Sequence, residues 1–83
     1  MSHSRDVVEV IARALADEPD DVRIVETSHR GTTLLELFVS PADLGRVIGR
    51  QGRTAAALRT LVAATAERDG EKVTLEIRET LPA

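Results

Sequence analysis

The residues best suited to chemistry are Gly45-Arg46-Val47-Ile48-Gly49-Arg50-Gln51-Gly52-Arg53-Thr54. Gly49 and Gly52 let a backbone turn tightly and approach a ligand with no Cβ in the way. A helix is expected to open directly after Gly52, so its free N–H groups and the positive end of its dipole face the loop. Arg46, Arg50 and Arg53 surround that point, and Arg59 follows on the same helix. The pattern suits a phosphodiester backbone. Spacing sets it apart from other glycine-rich sites. The run Gly45-x3-Gly49-x2-Gly52 is not the G-x-G-x-x-G of dinucleotide folds, and no strand precedes it. The phosphate loop G-x4-G-K-[ST] is absent, since the only lysine is Lys72. Gly45-x3-Gly49 matches a membrane-helix dimer spacing but lacks the apolar span of about 20 residues that gives it meaning. The competing reading is a plain helix–turn–helix joint whose glycines serve only close packing.

The other polar residues make no site. His3, placed in an N-terminal tail, and His29, placed in a turn, have no partners at ligand spacing and read as solvated. Asp17, Glu18, Asp20 and Asp21 lack the D-x-[DN]-x-[DN]-G pattern of a calcium loop and read as an exposed connection. Ser28 and His29 are chain neighbours whose side chains diverge, which excludes a nucleophile–base pair. With no cysteine there is no disulfide, thiolate metal site or thiol nucleophile. The expectation is a non-enzyme with no metal, no cofactor and no small-molecule substrate.

The elements that must position the loop can be read in order. Val7, Val8, Ile11 and Leu15 recur at helical spacing, with Ser4 as the expected N-cap and Pro19 closing the segment. Val22–Thr27 and Thr32–Val39 read as strands joined by a four-residue turn, Ser28-His29-Arg30-Gly31. On the second strand Thr33, Leu35, Leu37 and Val39 share one face; Leu34 and Phe38 lie on the other beside Glu36. Ser40-Pro41-Ala42-Asp43 is a helix start, with Ser40 at N-cap, Pro41 first in the helix and Asp43 near the positive dipole end. That helix runs to Ile48. A second helix opens at Arg53 or Thr54, with Leu58, Leu61, Val62 and Ala66 as its inward stripe and Gly70 ending it. Val73, Leu75 and Ile77 form a last, half-buried strand. The order α-β-β-α-α-β gives an α+β fold, a three-stranded mixed sheet covered on one face by three helices.

Length and composition agree with this outline. Eighty-three residues make a single domain, with an ordered core expected over about 4–79. No apolar run reaches the ~20 residues of a membrane span, and the first residues show no signal-peptide pattern, which suggests a cytoplasmic protein with no membrane role. Net charge is −3, but no acid lies between Asp43 and Glu67, where Arg46, Arg50, Arg53 and Arg59 fall. A segment of +4 therefore sits in a remainder of −7, a pattern that fits either a local anion site on an acidic body or a single basic helix arising by chance. Phe38 is the only aromatic, so an aromatic base-stacking platform is excluded.

Val47-Ile48-Gly49-Arg50-Gln51-Gly52, followed by a helix carrying Leu58 and Leu61, resembles the signature of KH domains, which clamp about four nucleotides of single-stranded RNA with a GXXG loop. The element order is that of the bacterial, type II variant. The length and the stretch from Gly49 to Val62 resemble the KhpA family of small stand-alone bacterial KH proteins. The resemblance implies that Gly49 and Gly52 allow backbone approach and that Arg50 and Gln51 meet the phosphates. Arg46, Arg53 and Arg59 are the basic residues around the site. Val47, Ile48, Ala55 and Leu58 are implied as the groove floor and Arg68–Lys72 as a variable flanking loop. Ala55 stands where many relatives have a larger aliphatic residue, and Ala56 where many have a basic one. Looser base contact and weak, poorly discriminating affinity are therefore expected. The resemblance also implies a homodimer or a heterodimer with a larger KH-containing protein, and a role in RNA regulation tied to cell growth, shape and division. The rival function is a dimerisation module built on the same scaffold, using the open sheet face or a groove edge.

Overall fold

The computed structural model describes residues 2–80. Helix α1 spans His3–Leu15, and its cap is Ser2, whose Oγ accepts from the Arg5 N–H at 3.1 Å. Ser4, the expected cap, lies inside the helix and is fully buried, its Oγ without a partner among the described residues. The buried face is accordingly Ser4, Val8 and Ala12, the i, i+4, i+8 row. His3 is the first helical residue rather than part of a tail, with Nδ1 3.1 Å from Asp69 Oδ2. A single 3-10 turn, Pro19–Asp21, leads into β1 (Arg23–His29).

Strand β2 (Thr32–Val39) pairs antiparallel with β1, from Arg23↔Phe38 to His29↔Thr32. The turn between them is only Arg30-Gly31, both at positive φ (51° and 81°), tighter than the four residues expected. Two consecutive positive-φ residues match strand twist, and glycine carries the second without strain. Strand β3 (Lys72–Glu79) pairs parallel with β2, with Leu35↔Leu75 and Leu37↔Ile77 in register. The sheet order is β1-β2-β3, so β2 is central and β3 is an edge.

Parallel neighbours need a crossover, here α2 (Pro41–Ile48) and α3 (Arg53–Arg68). Leu35, Leu37 and Val39 of β2 are wholly buried beneath Val8, Val47, Leu58 and Val62. Truncating a side chain such as Leu35 to alanine in this small core removes about 2–5 kcal/mol. Buried positions on α3 are Ala55, Leu58, Val62 and Ala66. Leu61, expected to face inward, is 48% exposed. At about 100° per residue, Leu61 falls about 100° from the centre of that buried arc. Helix α3 closes as expected at Gly70 (φ 71°): the Gly70 N–H donates to Glu67 O and the Glu71 N–H to Ala66 O. These are the two bonds of a Schellman cap.

The helices leave one sheet face open. It carries Val25, Leu34 and Phe38 among Arg23, Glu36, Glu76 and Arg78, and Arg78 Nε donates to Glu36 Oε2 at 3.1 Å. Leu34 and Phe38 are only half-buried there. Among the described residues no helix is long and apolar enough to cross a membrane.

Candidate nucleic-acid interface

The position of the glycine loop is set by α2, and α2 is held at its start by Asp43. This carboxylate is 1% exposed. Oδ1 accepts from the Asp17 N–H and Oδ2 from the Glu18 N–H, both at 2.9 Å, and Ser40 Oγ donates to Oδ2 at 3.2 Å. The bond from the Asp17 backbone, followed by that from Glu18, holds the Asp43 carboxyl below its ordinary pKa. Arg46, one turn on, pairs with Asp17 Oδ2 at 2.8 Å. The beginning of α2 is thus tied to the α1–β1 connection, about 25 residues away in the chain.

Helix α2 stops at Gly49, whose N–H donates to Gly45 O at 2.8 Å and whose backbone lies at φ 77°, ψ 172°. Only glycine adopts that region readily. A Cβ there would overlap Thr54 Oγ1 and lie 2.7 Å from Thr54 Cβ. Gly49 is therefore required both by its dihedrals and by the close approach of α3. Gln51 (φ 57°) and Gly52 (φ 71°) are left-handed too, and the Gly52 N–H donates to Gly49 O at 3.1 Å. Open space surrounds the Cβ position of Gly52.

Helix α3 begins at once, with Gly52 as N-cap, no side-chain cap and no acid in its first turn. The Arg53 N–H donates to Arg50 O; the next N–H groups of this helix of 16 residues have no partner within the helix, and no first-turn acid opposes its positive dipole end. Arg50, Gln51 and Arg53 are exposed around this opening. Such an arrangement offers donors and positive charge to an anion.

The remaining residues singled out from the sequence are distributed unevenly. Arg46 lies on the adjoining turn, with its charge largely met by Asp17. Arg59 lies farther along α3 and its Nε donates to the Leu75 carbonyl on the β3 edge at 3.3 Å. The four apolar residues do not form a common exposed floor. Val47, Ala55 and Leu58 are at most 5% exposed and support the joint from beneath, while Ile48 alone reaches solvent, at 36%. The reason is that Val47 and Leu58 belong to the core they share with Leu35, Leu37 and Val39 of β2. Sequence reasoning did not find the Asp43 anchor, the Arg46–Asp17 pair or the Arg59–Leu75 bond. Ser40-x-x-Asp43 is a capping-type signal for the first; the others join segments too distant for any local pattern. Among the described residues no cluster of three or more His, Asp or Glu is placed to hold a metal ion.

Helices α2 and α3 joined by a glycine-bracketed turn, on a β1-β2-β3 mixed sheet with α1 behind, define a type II KH domain. The sequence family is equally specific: residues 5–77 match the model of the KhpA/KhpB KH domain, and the chain belongs to that family. It is 48% identical over 79 residues to the RNA-binding protein KhpA of Aquifex aeolicus, covering 95% of this chain and 100% of that protein. It is 61% identical over 59 residues to the RNA-binding protein KhpA of Mycobacterium bovis, covering 70% of this chain and 72% of the relative. In fold it is similar to Era of Aquifex aeolicus bound to GDP and aluminium fluoride, with a TM-score of 0.64 at 18% identity. The same TM-score relates it to Era in complex with MgGDPNP and nucleotides 1506–1542 of 16S ribosomal RNA. The chain is matched over 95% of its own length but spans only about a third of Era, 31% and 30% in the two structures.

Proposed function

We propose that this chain is a non-enzymatic, single-stranded RNA-binding protein that grips the RNA backbone with the loop Gly49-Arg50-Gln51-Gly52. The observation that carries the reading is the uncapped start of α3 at Gly52, flanked by Arg50 and Arg53 and free of first-turn acids. Membership of a family whose relatives are named RNA-binding proteins supports it. The backbone of about four nucleotides runs against the loop and the α3 N-terminus, with its bases along α3 toward β3. Arg50, Arg53 and Arg59 supply most of the charge; Arg46 contributes less because Asp17 opposes it. The protein works in the cytoplasm, in post-transcriptional regulation linked to cell growth, shape and division, with no cofactor.

The test is fluorescence anisotropy with a mixed single-stranded RNA pool at two salt concentrations. Arg50→Asp combined with Gln51→Asp reverses the charge of the loop tip, and aspartate tolerates the left-handed conformation at 51. Binding by the native chain that this double variant loses, with the fold intact by circular dichroism, supports the loop as the site. Equal affinity in the folded variant places the site elsewhere.

A second reading, an association module, is favoured by one observation. Helices α1 and α3 run antiparallel, with His3 beside Asp69 and Val7 beside Thr65. One turn further along, Val10 and Leu61 are 69% and 48% exposed. Their face, more than the half-buried Leu34 and Phe38 of the open sheet, suits a homodimer or a heterodimer with a larger KH-containing protein.

A further inference from the structure

The two edges of the sheet differ. On β3 the Leu75 carbonyl is taken by Arg59 Nε at 3.3 Å. Strand β1 pairs with β2 along its whole length, Arg23 to His29, with no bulge and no proline, and its other side is free. A two-residue hairpin closes on a pair that exchanges both backbone bonds, here His29 and Thr32, and such pairs alternate along the ladder. Arg23, Val25 and Thr27 therefore bond to β2, while Ile24, Glu26 and Ser28 turn their N–H and C=O groups outward. Among the described residues no backbone group outside the sheet meets these three. Such an edge is a template for a further strand. Beside it runs a groove of about 330 Å³, with Arg5, Glu9 and Arg13 of α1 on one side and residues 22–25 on the other. Glu9 pairs with both arginines of its row, at 3.7 and 3.4 Å. Arg23 stands across the edge on the open face, so three cations and one carboxylate leave the groove at +2. Glu26 lies beyond it, where its Oε1 accepts from Ser2 Oγ at 3.0 Å.

We propose that this edge docks an extended acidic segment of a partner protein, which adds beside β1 as a fourth strand under the arginine row of α1. The site is separate from the glycine loop and does not depend on RNA binding. Its outward carbonyls need donors and its outward N–H groups need acceptors. A peptide strand brings both, whereas a phosphodiester backbone brings only acceptors. A second copy of this chain is a poor occupant. A two-fold axis through the groove sets the Glu9 residues of both copies together and Arg5 against Arg13, like charge against like. Spacing gives the pattern of the segment. Arg5 and Arg13 lie eight residues apart, about 12 Å at ~1.5 Å per residue. In a strand the same reach takes four residues, about 13 Å at ~3.3 Å each. Two acids at i and i+4 on the helix-facing side thus meet the two arginines, and a neutral residue at i+2 passes Glu9. An acid on the other side of the segment meets Arg23. Main-chain bonds supply the docking, and the arginines select acidic segments.

The experiment titrates the isotope-labelled native chain with a peptide of about seven residues, threonine and valine with two glutamates four apart, and follows the amide NMR shifts. The Ile24, Glu26 and Ser28 amides are expected to shift most. Replacing both glutamates by glutamine should weaken binding by about threefold to tenfold, the range for two partly exposed ion pairs. Methylating the peptide nitrogens that face β1 should abolish binding, and methylating the alternate set should not. Arg5→Gln combined with Arg13→Gln should bind the glutamate and glutamine peptides alike. Where circular dichroism shows that this pair unfolds the chain, Arg13→Gln alone, at the more exposed end, should reduce the preference. A native chain that shifts no β1 amide, methylation of either set acting equally, or arginine variants that keep the native preference overturn the site. Mixed single-stranded RNA, added to the peptide complex of Arg50→Asp combined with Gln51→Asp, separates the two kinds of partner. RNA that displaces the peptide there puts nucleic acid in the groove and overturns peptide docking; RNA that leaves it bound supports it.

Discussion

Gly49→Ala tests whether the loop geometry is as constrained as the structure indicates. At φ 77°, ψ 172° the native conformation lies where only glycine is at ease, and placing alanine there costs about 1–3 kcal/mol. The new methyl also meets Thr54, with Cβ at 2.7 Å and backbone N at 3.0 Å, and such overpacking adds about 1–3 kcal/mol. Reduced freedom of the unfolded chain returns about 0.4–1 kcal/mol. A net loss of about 1–6 kcal/mol remains, set against the ~4–12 kcal/mol available to a domain of this size at ~0.05–0.15 kcal/mol per residue. Gly52→Ala is the internal reference. It is left-handed at φ 71°, ψ 14° but has open space at its Cβ position, so only the conformational term of about 1–2 kcal/mol applies. Thermal melts followed by circular dichroism suit the chain, which has no Trp or Tyr for fluorescence. At about 4–8 °C per kcal/mol, the middle of that range, about 3 kcal/mol, lowers Tm by about 12–24 °C in Gly49→Ala, and about 1.5 kcal/mol lowers it by about 6–12 °C in Gly52→Ala. Adding Thr54→Ala to Gly49→Ala should recover part of the loss. Equal melting of the two glycine variants, or no recovery through residue 54, would refute the contact between loop and α3.

Three further outcomes follow from the same geometry. With Arg46 partly neutralised by Asp17, about three phosphates are met by Arg50, Arg53 and Arg59, so log K should fall against log[salt] with a slope of roughly −2 on single strands; a slope near zero contradicts the electrostatic grip. Asp43 has a folded-state pKa held below the ordinary 3.8 by the Asp17 and Glu18 N–H groups, so its stabilisation is complete above that value and lost as pH falls through the depressed one. Urea unfolding from pH 7 to 2 should therefore show a flatter acid limb in Asp43→Asn, whereas Glu18, raised chiefly by its side-chain bond with Asp21, acts with the opposite sign. Leu61→Glu should shift sedimentation toward monomer if the α1–α3 face associates, and an unchanged profile in a native chain that does associate moves the interface to the open sheet.

Local patterns carried most of the fold. Ser40-Pro41 opened α2, Gly49 closed it, Gly70 closed α3, and the alternation of Leu35, Leu37 and Val39 marked the buried face of β2, each a rule acting within a few residues. Departures arose where two local options were nearly equal. Ser2 and Ser4 are both able to cap α1, and tertiary burial of the Ser4 position decided between them. Leu58, Leu61, Val62 and Ala66 fit a helical stripe, but the buried arc of α3 is displaced and takes in Ala55 instead of Leu61. Periodicity gives the direction of a face and not its width.

The candidate site shows the same division more sharply. Glycine identity and arginine density are local, so the loop was legible; what each arginine does is decided by partners that come from elsewhere in the chain. Asp17 reaches Arg46 across the α1–β1 connection, and the Leu75 carbonyl reaches Arg59 across the crossover. Four arginines that look equivalent in an acid-free segment therefore become one compensated charge, two free charges at a helix N-terminus and one oriented fork. An anion needs only the free charges, whereas a particular base needs donors in a fixed arrangement. On the RNA-binding reading proposed above, Arg50 and Arg53 hold phosphates wherever the strand lies, and Arg59 adds a charge whose direction the Leu75 carbonyl fixes.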